Sequence, residues 1–201
     1  MTRSQVSARR AQASDAALVT SIIAAAFQHD PLWSGAMTRA DGGTDHHAAF
    51  WRLFVDGAMR HGWTWLTAGG EATSIWIPPG KTEMTPSQEE ELLSLADRHL
   101  GLAADEYREL LARFAAAHPQ TEPHYYLTLL GTHPDHRGRG IGMSLLAHDL
   151  AAIDEAHMPA YLESSNPVND ERYMTVGFEP LGTIVAPGGR VVVTTMWRSA
   201  R

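Results

Sequence analysis

Three glycines stand at alternate positions in Arg137-Gly138-Arg139-Gly140-Ile141-Gly142, behind the strand-like run His124–Leu130 and ahead of a stretch with helical spacing. A strand that turns through such a loop into a helix, followed by another strand at Ala160–Glu163, specifies a β-loop-α-β crossover with two parallel neighbouring strands. The glycines let the backbone approach a bulky anion closely, and the exposed N–H groups of the helix start favour negative charge there. Arg137 and Arg139 flank Gly138 and make a local basic spot in an otherwise acidic chain, with 16 Lys and Arg against 23 Asp and Glu and a formal charge of −7. The loop Arg137, Gly138, Arg139, Gly140, Ile141, Gly142 and Met143 is therefore expected to cradle a phosphate or pyrophosphate.

Two common phosphate loops fit less well. A dinucleotide-binding G-x-G-x-x-G needs glycine at 143, where Met stands, and too few βα units follow to build a doubly wound sheet, although Glu163 falls about where a ribose-binding acid would. No Gly-Lys-Ser/Thr occurs, which excludes a P-loop.

The rest of the 201-residue chain reads as one mixed α/β (α+β) domain without repeats or low-complexity linkers. Gln5–Ala11 suits a first edge strand. Ser14 and Asp15 cap a helix that places Leu18, Ile22, Ala25 and Ala26 on one face and stops at Pro31. A second helix over about 45–61 closes at Gly62, and Trp63–Thr67 with Ala72–Ile77 form a strand pair around Ala68-Gly69-Gly70-Glu71. Thr85-Pro86-Ser87-Gln88 is a capping box for a helix interrupted at Gly101 and resumed to Ala117. A short helix over about 170–175 and two strands, Phe178–Val185 and Arg190–Trp197, end the chain.

Composition removes several function classes. There is no cysteine, hence no disulfide, thiolate metal site or cysteine nucleophile. The acidic balance argues against nucleic acid as the partner. No apolar run spans a bilayer and no apolar segment follows the basic N-terminus, so the expectation is a cytoplasmic protein without a membrane partner. His133-x-x-His136 and His46-His47 are the only close histidine sets, neither has a clear third ligand, and no metal is expected.

The strand Tyr126–Leu130, the segment Gly131–His136 and the glycine loop together resemble the central Arg/Gln-x-x-Gly-x-Gly/Ala motif of the GNAT superfamily of N-acetyltransferases, matched at Arg137, Gly140 and Gly142. The stretch Tyr161–Asn169, then Tyr173 and Gly177-Phe178, is similar to the same family, and in detail to the branch containing puromycin N-acetyltransferase. This likeness covers residues 124–178. It implies a GNAT-like fold: a mostly antiparallel central sheet of about seven strands flanked by helices, with a parallel β-loop-α-β unit that binds acyl-CoA. Residues 1–120 would form the acceptor side and 121–201 the donor side.

The resemblance further implies acetyl-CoA as acyl donor. Leu130, Gly131 and Thr132 would meet the pantetheine arm and polarise the thioester carbonyl, the loop from Arg137 to Met143 would hold the pyrophosphate, and Asn169 would lie on the coenzyme side. Tyr173 matches the general acid that protonates the departing thiolate, although Arg172-Tyr173-Met174 replaces the more usual aromatic-Tyr-Glu. Glu163 is the candidate general base, directly or through water; a carboxylate there could equally bind a cationic substrate or pair with an arginine. His29, Asp30 and Trp33 form the expected rim of an acceptor pocket, and Trp33, Trp51, Trp65 and Trp76 fall in the half that would build it. The expected reaction is direct transfer to a primary amine of a small molecule, an antibiotic or related metabolite among them, by a monomer or homodimer. Two alternatives are transfer to a peptide or protein amine and a non-catalytic CoA-binding regulator.

Overall fold

The computed structural model describes residues 6–201. Seven strands form one sheet in the order β1-β2-β3-β4-β5-β7-β6: β1 Ala8–Arg10, β2 Thr64–Thr67, β3 Ala72–Ile77, β4 Tyr125–Thr132, β5 Ala160–Ser164, β6 Glu179–Val185 and β7 Val192–Arg198. Only β4 and β5 pair in parallel, joined through helix α6, Ile141–Glu155; every other neighbouring pair is antiparallel. The seven-stranded, mostly antiparallel α/β architecture with one parallel crossover is thus present as expected. Residue 5, where the first strand was expected to begin, lies outside the described residues, and β1 occupies the second half of that run.

The two sheet faces carry different helices. Against one face pack α1 (Ala16–Phe27), α2 (Trp33–Met37), α3 (His47–Met59), α4 (Pro86–Leu100) and α5 (Ala104–Ala117), around Val19, Ile22, Ile23, Phe50, Trp51 and Leu129. Against the other packs α6, whose Leu146, Leu150 and Ile153 meet Trp76, Leu127, Leu162 and Met196. The expected apolar face of α6 is the observed one. That of α1 is rotated: Val19, Ile22 and Ile23 are buried while Leu18 is 43% exposed, lying over the β2–β3 turn beside Gly70.

Local chemistry explains most element boundaries. Thr85 Oγ1 accepts from the Gln88 N–H and the Gln88 side chain accepts from the Thr85 N–H, so the capping box starts α4. A turn at Pro31-Leu32 leads into a short helix: Asp30 Oδ1 accepts from the N–H groups of Leu32 and Trp33, both at 3.0 Å, and α2 follows.

Three features of this frame shape the site. Parallel pairing of β4 with β5 spans only Tyr125–Leu127 and Ala160–Leu162, after which β4 runs on to Thr132 without a β5 partner. On its other edge β4 carries a bulge, because Ile75 pairs with Leu129 and Trp76 with Leu127, leaving Thr128 without an opposing residue. Gly131 lets α1 close onto β4, since a Cβ there would lie 3.0 Å from both Ala26 Cβ and Ile23 Cδ1. Two polar clasps hold α6 in place. Asp149, fully buried, accepts from the Ser74 hydroxyl and from the Trp76 indole N–H at 2.9 Å, and burial pushes its carboxyl up to about 6. At the C-terminal end of α6, Asp154 and the buried Arg198 form a bidentate pair at 2.6 and 2.7 Å, while Arg198 Nε donates to the Val176 carbonyl.

Candidate active site

Where β4 parts from β5, a cleft of 550 Å³ gathers residues that are far apart in the chain: Leu130 and Thr132 of β4, Arg137, Gly138 and Gly140–Met143 of the loop, and Asn169 and Tyr173 beyond β5. Gly138 and Gly140 take φ of 75° and 72°, the left-handed region that glycine enters without Cβ strain. The first hydrogen bond of α6 runs from Ser144 N–H to the Gly140 carbonyl at 2.9 Å. The N–H groups of Ile141, Gly142 and Met143 therefore precede the helical ladder at its positive end, with no acidic residue in the first turn. Arg137 is pinned by a 2.6 Å hydrogen bond to the Ala26 carbonyl near the end of α1 and lines the cleft. Arg139, expected beside it, turns to a separate hollow with Glu71 and approaches His136 Nδ1 at 3.2 Å. Gly131 is a packing contact under the cleft rather than part of its lining.

Tyr173 stands on α7, Asp170–Met174, edge-on to Phe178 at 6.2 Å between ring centroids. Burial pushes its phenol up to about 12, and the charges of Asp170 and Asp30 add to the shift. The group is thus held in its acid form at neutral pH. Asn169 accepts from the Arg172 guanidinium at 3.0 Å.

A second cavity, of 670 Å³, lies on the helical side of the sheet. Trp33, Trp51, Phe54 and Phe114 supply aromatic walls; the Trp33 ring sits 5.6 Å from Trp51 and 5.5 Å from Phe114. Glu83, Glu163, His118, Tyr126 and Thr128 give it a polar end. The Glu163 side chain is only 4% exposed, with His118 Nδ1 at 3.8 Å. Tyr126 and Tyr161 are both pushed well above the usual phenol range, first by burial and then by the neighbouring Glu163 charge.

The expected rim His29-Asp30-Pro31-Leu32-Trp33 is divided between the two chambers. Trp33 lines the aromatic cavity, whereas His29 and Asp30 line the cleft beside Tyr173. Asp30 is occupied in capping α2 and in accepting from the Ser165 hydroxyl at 2.7 Å, which turns it toward β5. Trp65 and Trp76 do not reach the aromatic cavity: Trp76 is buried on the α6 face and Trp65 stands edge-on to His148. Alternation along β3 and the position of β2 decide that partition.

Glu83 is the residue that the sequence did not single out. It follows β3 in an irregular segment, where no periodicity assigns a face. The loop comes close because Gly57 of α3 has no side chain: a Cβ there would lie 2.3 Å from the Glu83 carbonyl oxygen. The Thr128 hydroxyl donates to the Glu83 carboxylate, yet desolvation dominates and pushes that carboxyl up to about 7. Among the described residues no group of three or more His, Asp or Glu side chains is arranged to hold a metal ion, and no helix is long and apolar enough to cross a membrane.

The sequence model of the acetyltransferase (GNAT) family matches residues 69–178. Solved structures similar to the whole chain include a histone acetyltransferase HPA2 and related acetyltransferase from Corynebacterium glutamicum, at 22% identity over 98% of each chain with a TM-score of 0.69. Arylalkylamine N-acetyltransferase 2 from Aedes aegypti is similar at 11% identity over 98% of this chain and 100% of that one, TM-score 0.66. The NatC complex bound to a Gag peptide and CoA is similar at 11% identity, again over 98% and 100%, TM-score 0.55. At these identities the likeness is one of fold, and the acceptors named for those proteins differ. With more than half of its length matched, the chain belongs to the acetyltransferase (GNAT) family and is an acyltransferase.

Proposed function

We propose that this chain transfers an acetyl group directly from acetyl-CoA to the primary amine of a small molecule with an aromatic or apolar body. The observation that carries the reading is that one strand, β4, borders both chambers on either side of its bulge. Tyr126, Thr128 and Leu129 line the aromatic cavity; past the bulge the side chains turn over, and Leu130 and Thr132 line the glycine-loop cleft. An amine in one chamber and a thioester in the other would meet along that strand.

The cleft suits the donor. Its glycines leave open space at 138 and 140, and the free N–H groups of Ile141–Met143 with Arg137 provide a cradle for pyrophosphate. Acetyl-CoA supplies the thioester. Leu130, Gly131 and Thr132 present the backbone of the parted strand to it, Asn169 borders the coenzyme side, and Tyr173, which lines the same cleft, protonates the leaving sulfur. At the polar end of the aromatic cavity stand two carboxylates, Glu163 at the end of β5, the base expected from the sequence, and Glu83; one of them accepts the proton of the incoming ammonium.

The aromatic walls favour a compact acceptor over a peptide backbone. The likeness of Tyr161–Asn169 to the puromycin N-acetyltransferase branch puts antibiotic and related amines in the panel worth testing. Intact Tyr173 and a complete loop support catalysis over a purely CoA-binding role. Free-thiol release from acetyl-CoA with a panel of arylalkylamines, aliphatic amines and N-terminal peptides tests the reading. The expected result is release with small amines and a product heavier by one acetyl group; turnover confined to peptides would replace it by the peptide reading.

A further inference from the structure

Thr128, the bulged residue of β4, lines the aromatic cavity two residues before Leu130 of the cleft, and two carboxylates stand at its level. Its hydroxyl donates to Glu83. One step beyond the last parallel pair, Leu127 with Leu162, the chains reach Thr128 and Glu163, so Glu163 enters at the same level of the sheet. The same sheet face presents Tyr126 and Tyr161, ring centroids 5.8 Å apart, next to this level. Leu130, two residues on, where the bulge has turned the side chain of β4 toward the cleft, lies within about 7 Å along the strand from Thr128. Glu163 is nearly closed off from solvent, and its only ion-pair partner among the described residues is His118 at 3.8 Å.

We infer that Glu83 and Glu163 divide the handling of a primary ammonium at this level: Glu163 holds the cation, and Glu83 takes its proton and is the general base. The inference rests on the acetyl-transfer reading above and goes beyond it by moving the base from β5 to the loop after β3. It also defines the acceptor as an amine that arrives as a cation with an aromatic or apolar body, stacked against Trp33, Trp51, Phe54 and Phe114.

Proton and electron bookkeeping closes without another reactant. The ammonium gives one proton to the Glu83 carboxylate. The freed nitrogen pair then attacks the thioester carbonyl carbon, and the C–N bond forms as the C–S bond breaks. The Tyr173 hydroxyl protonates the departing sulfur and is restored by the second nitrogen proton, while Glu83 returns its proton to water. One proton is released for each acetyl group moved.

The groups facing Glu83 agree with this role. Burial and the charges of Glu163 and Glu89 raise its carboxyl; Thr128 and His118 lower it; the phenols of Tyr107 and Tyr126, also close, are pushed up and stay neutral. The net value of about 7 leaves a substantial ionised fraction at neutral pH and still makes a stronger base than an ordinary carboxylate.

Two amines of similar shape test it: 2-phenylethylamine, a cation at neutral pH, and O-benzylhydroxylamine, which is neutral there and needs no prior deprotonation. With saturating acetyl-CoA at pH 7, Glu83→Gln is expected to lower kcat/KM for 2-phenylethylamine about 100-fold or more. The loss on O-benzylhydroxylamine is expected to be at least about tenfold smaller, since only the later proton loss remains. The acidic limb near pH 7 in the wild-type profile for 2-phenylethylamine should disappear in Glu83→Gln and move to higher pH in Thr128→Val, which removes the hydrogen bond that favours the anion. Glu163→Gln should keep that limb and raise KM for the cation. Equal losses on both amines in Glu83→Gln, or a limb that Glu163→Gln removes and Thr128→Val leaves in place, would overturn the inference and leave acetyl transfer standing. If wild type released no thiol with either amine, the acetyl-transfer reading for such amines would fall, and this inference with it.

Discussion

Gly142 and Thr132 touch so closely that a Cβ on the glycine would stand 2.6 Å from the threonine hydroxyl. The contact joins the first turn of α6 to the end of β4, the two elements that border the cleft on either side of the loop. A side chain at 142 must push the loop away from the strand, because the obstructing oxygen sits on a short, β-branched residue with little freedom to retreat. Gly142→Val is therefore expected to raise KM for acetyl-CoA at least about tenfold, equivalent to about 1.4 kcal/mol, with a smaller effect on kcat. Initial rates at varied acetyl-CoA check this; an unchanged KM would separate the glycine loop from donor binding.

Tyr173 makes a different demand. Its phenol, held up to about 12, remains protonated across the working range, so a pH limb should not come from its ionisation. Tyr173→Phe keeps the ring and its edge-on contact with Phe178 and removes only the hydroxyl. Turnover is expected to fall about 100-fold or more while KM for acetyl-CoA changes by less than about twofold. Retained turnover would take Tyr173 out of the mechanism.

The Arg198–Asp154 pair predicts stability rather than activity. The Arg198 side chain is 3% exposed, and Asp154→Ala would strip a buried guanidinium of its bidentate partner. Breaking a fully buried pair costs about 3–5 kcal/mol; Asp154 keeps 30% exposure, so about 2–3 kcal/mol is expected for this one. Urea unfolding followed by tryptophan fluorescence measures it.

Glu83 also links stability to pH. Its carboxyl lies at about 7 in the folded protein against 4.5 as the ordinary value, so the fold binds this proton more tightly than the unfolded chain does. That contribution is complete below the ordinary value and is lost as pH rises through about 7, a swing on the order of 3 kcal/mol. Asp149, pushed up to about 6, contributes in the same direction over a lower window. Glu83→Gln should accordingly be more stable than wild type at pH 8 and lose less stability between pH 5 and 8. Parallel curves for the two proteins would show that Glu83 ionises as freely in the fold as outside it.

The crossover and its glycine loop were legible in the sequence because their causes are local. Strand periodicity, left-handed glycines and a helix start within some thirty residues of chain, and the crossover rule supplies the parallel pairing of β4 with β5. The capping box of α4 and the buried face of α6 were legible for the same reason. The face of α1 was not, since Leu18 answers to the distant turn at Gly70 rather than to its own helix.

The acceptor side belongs to tertiary structure. Which tryptophans line the cavity depends on how β2 and β3 register in the sheet, and the division of His29, Asp30 and Trp33 depends on an aspartate that caps a short helix. Glu83 reaches the site through Gly57, meets Thr128 at a bulge, and shares its level with Glu163 only because β4 and β5 part there. By itself the sequence determined the glycine loop and the crossover that carries it, through contacts between near neighbours. The make-up of the aromatic cavity and its polar end was decided by contacts between residues from 18 to 81 positions apart, for which the chain carries no local signal.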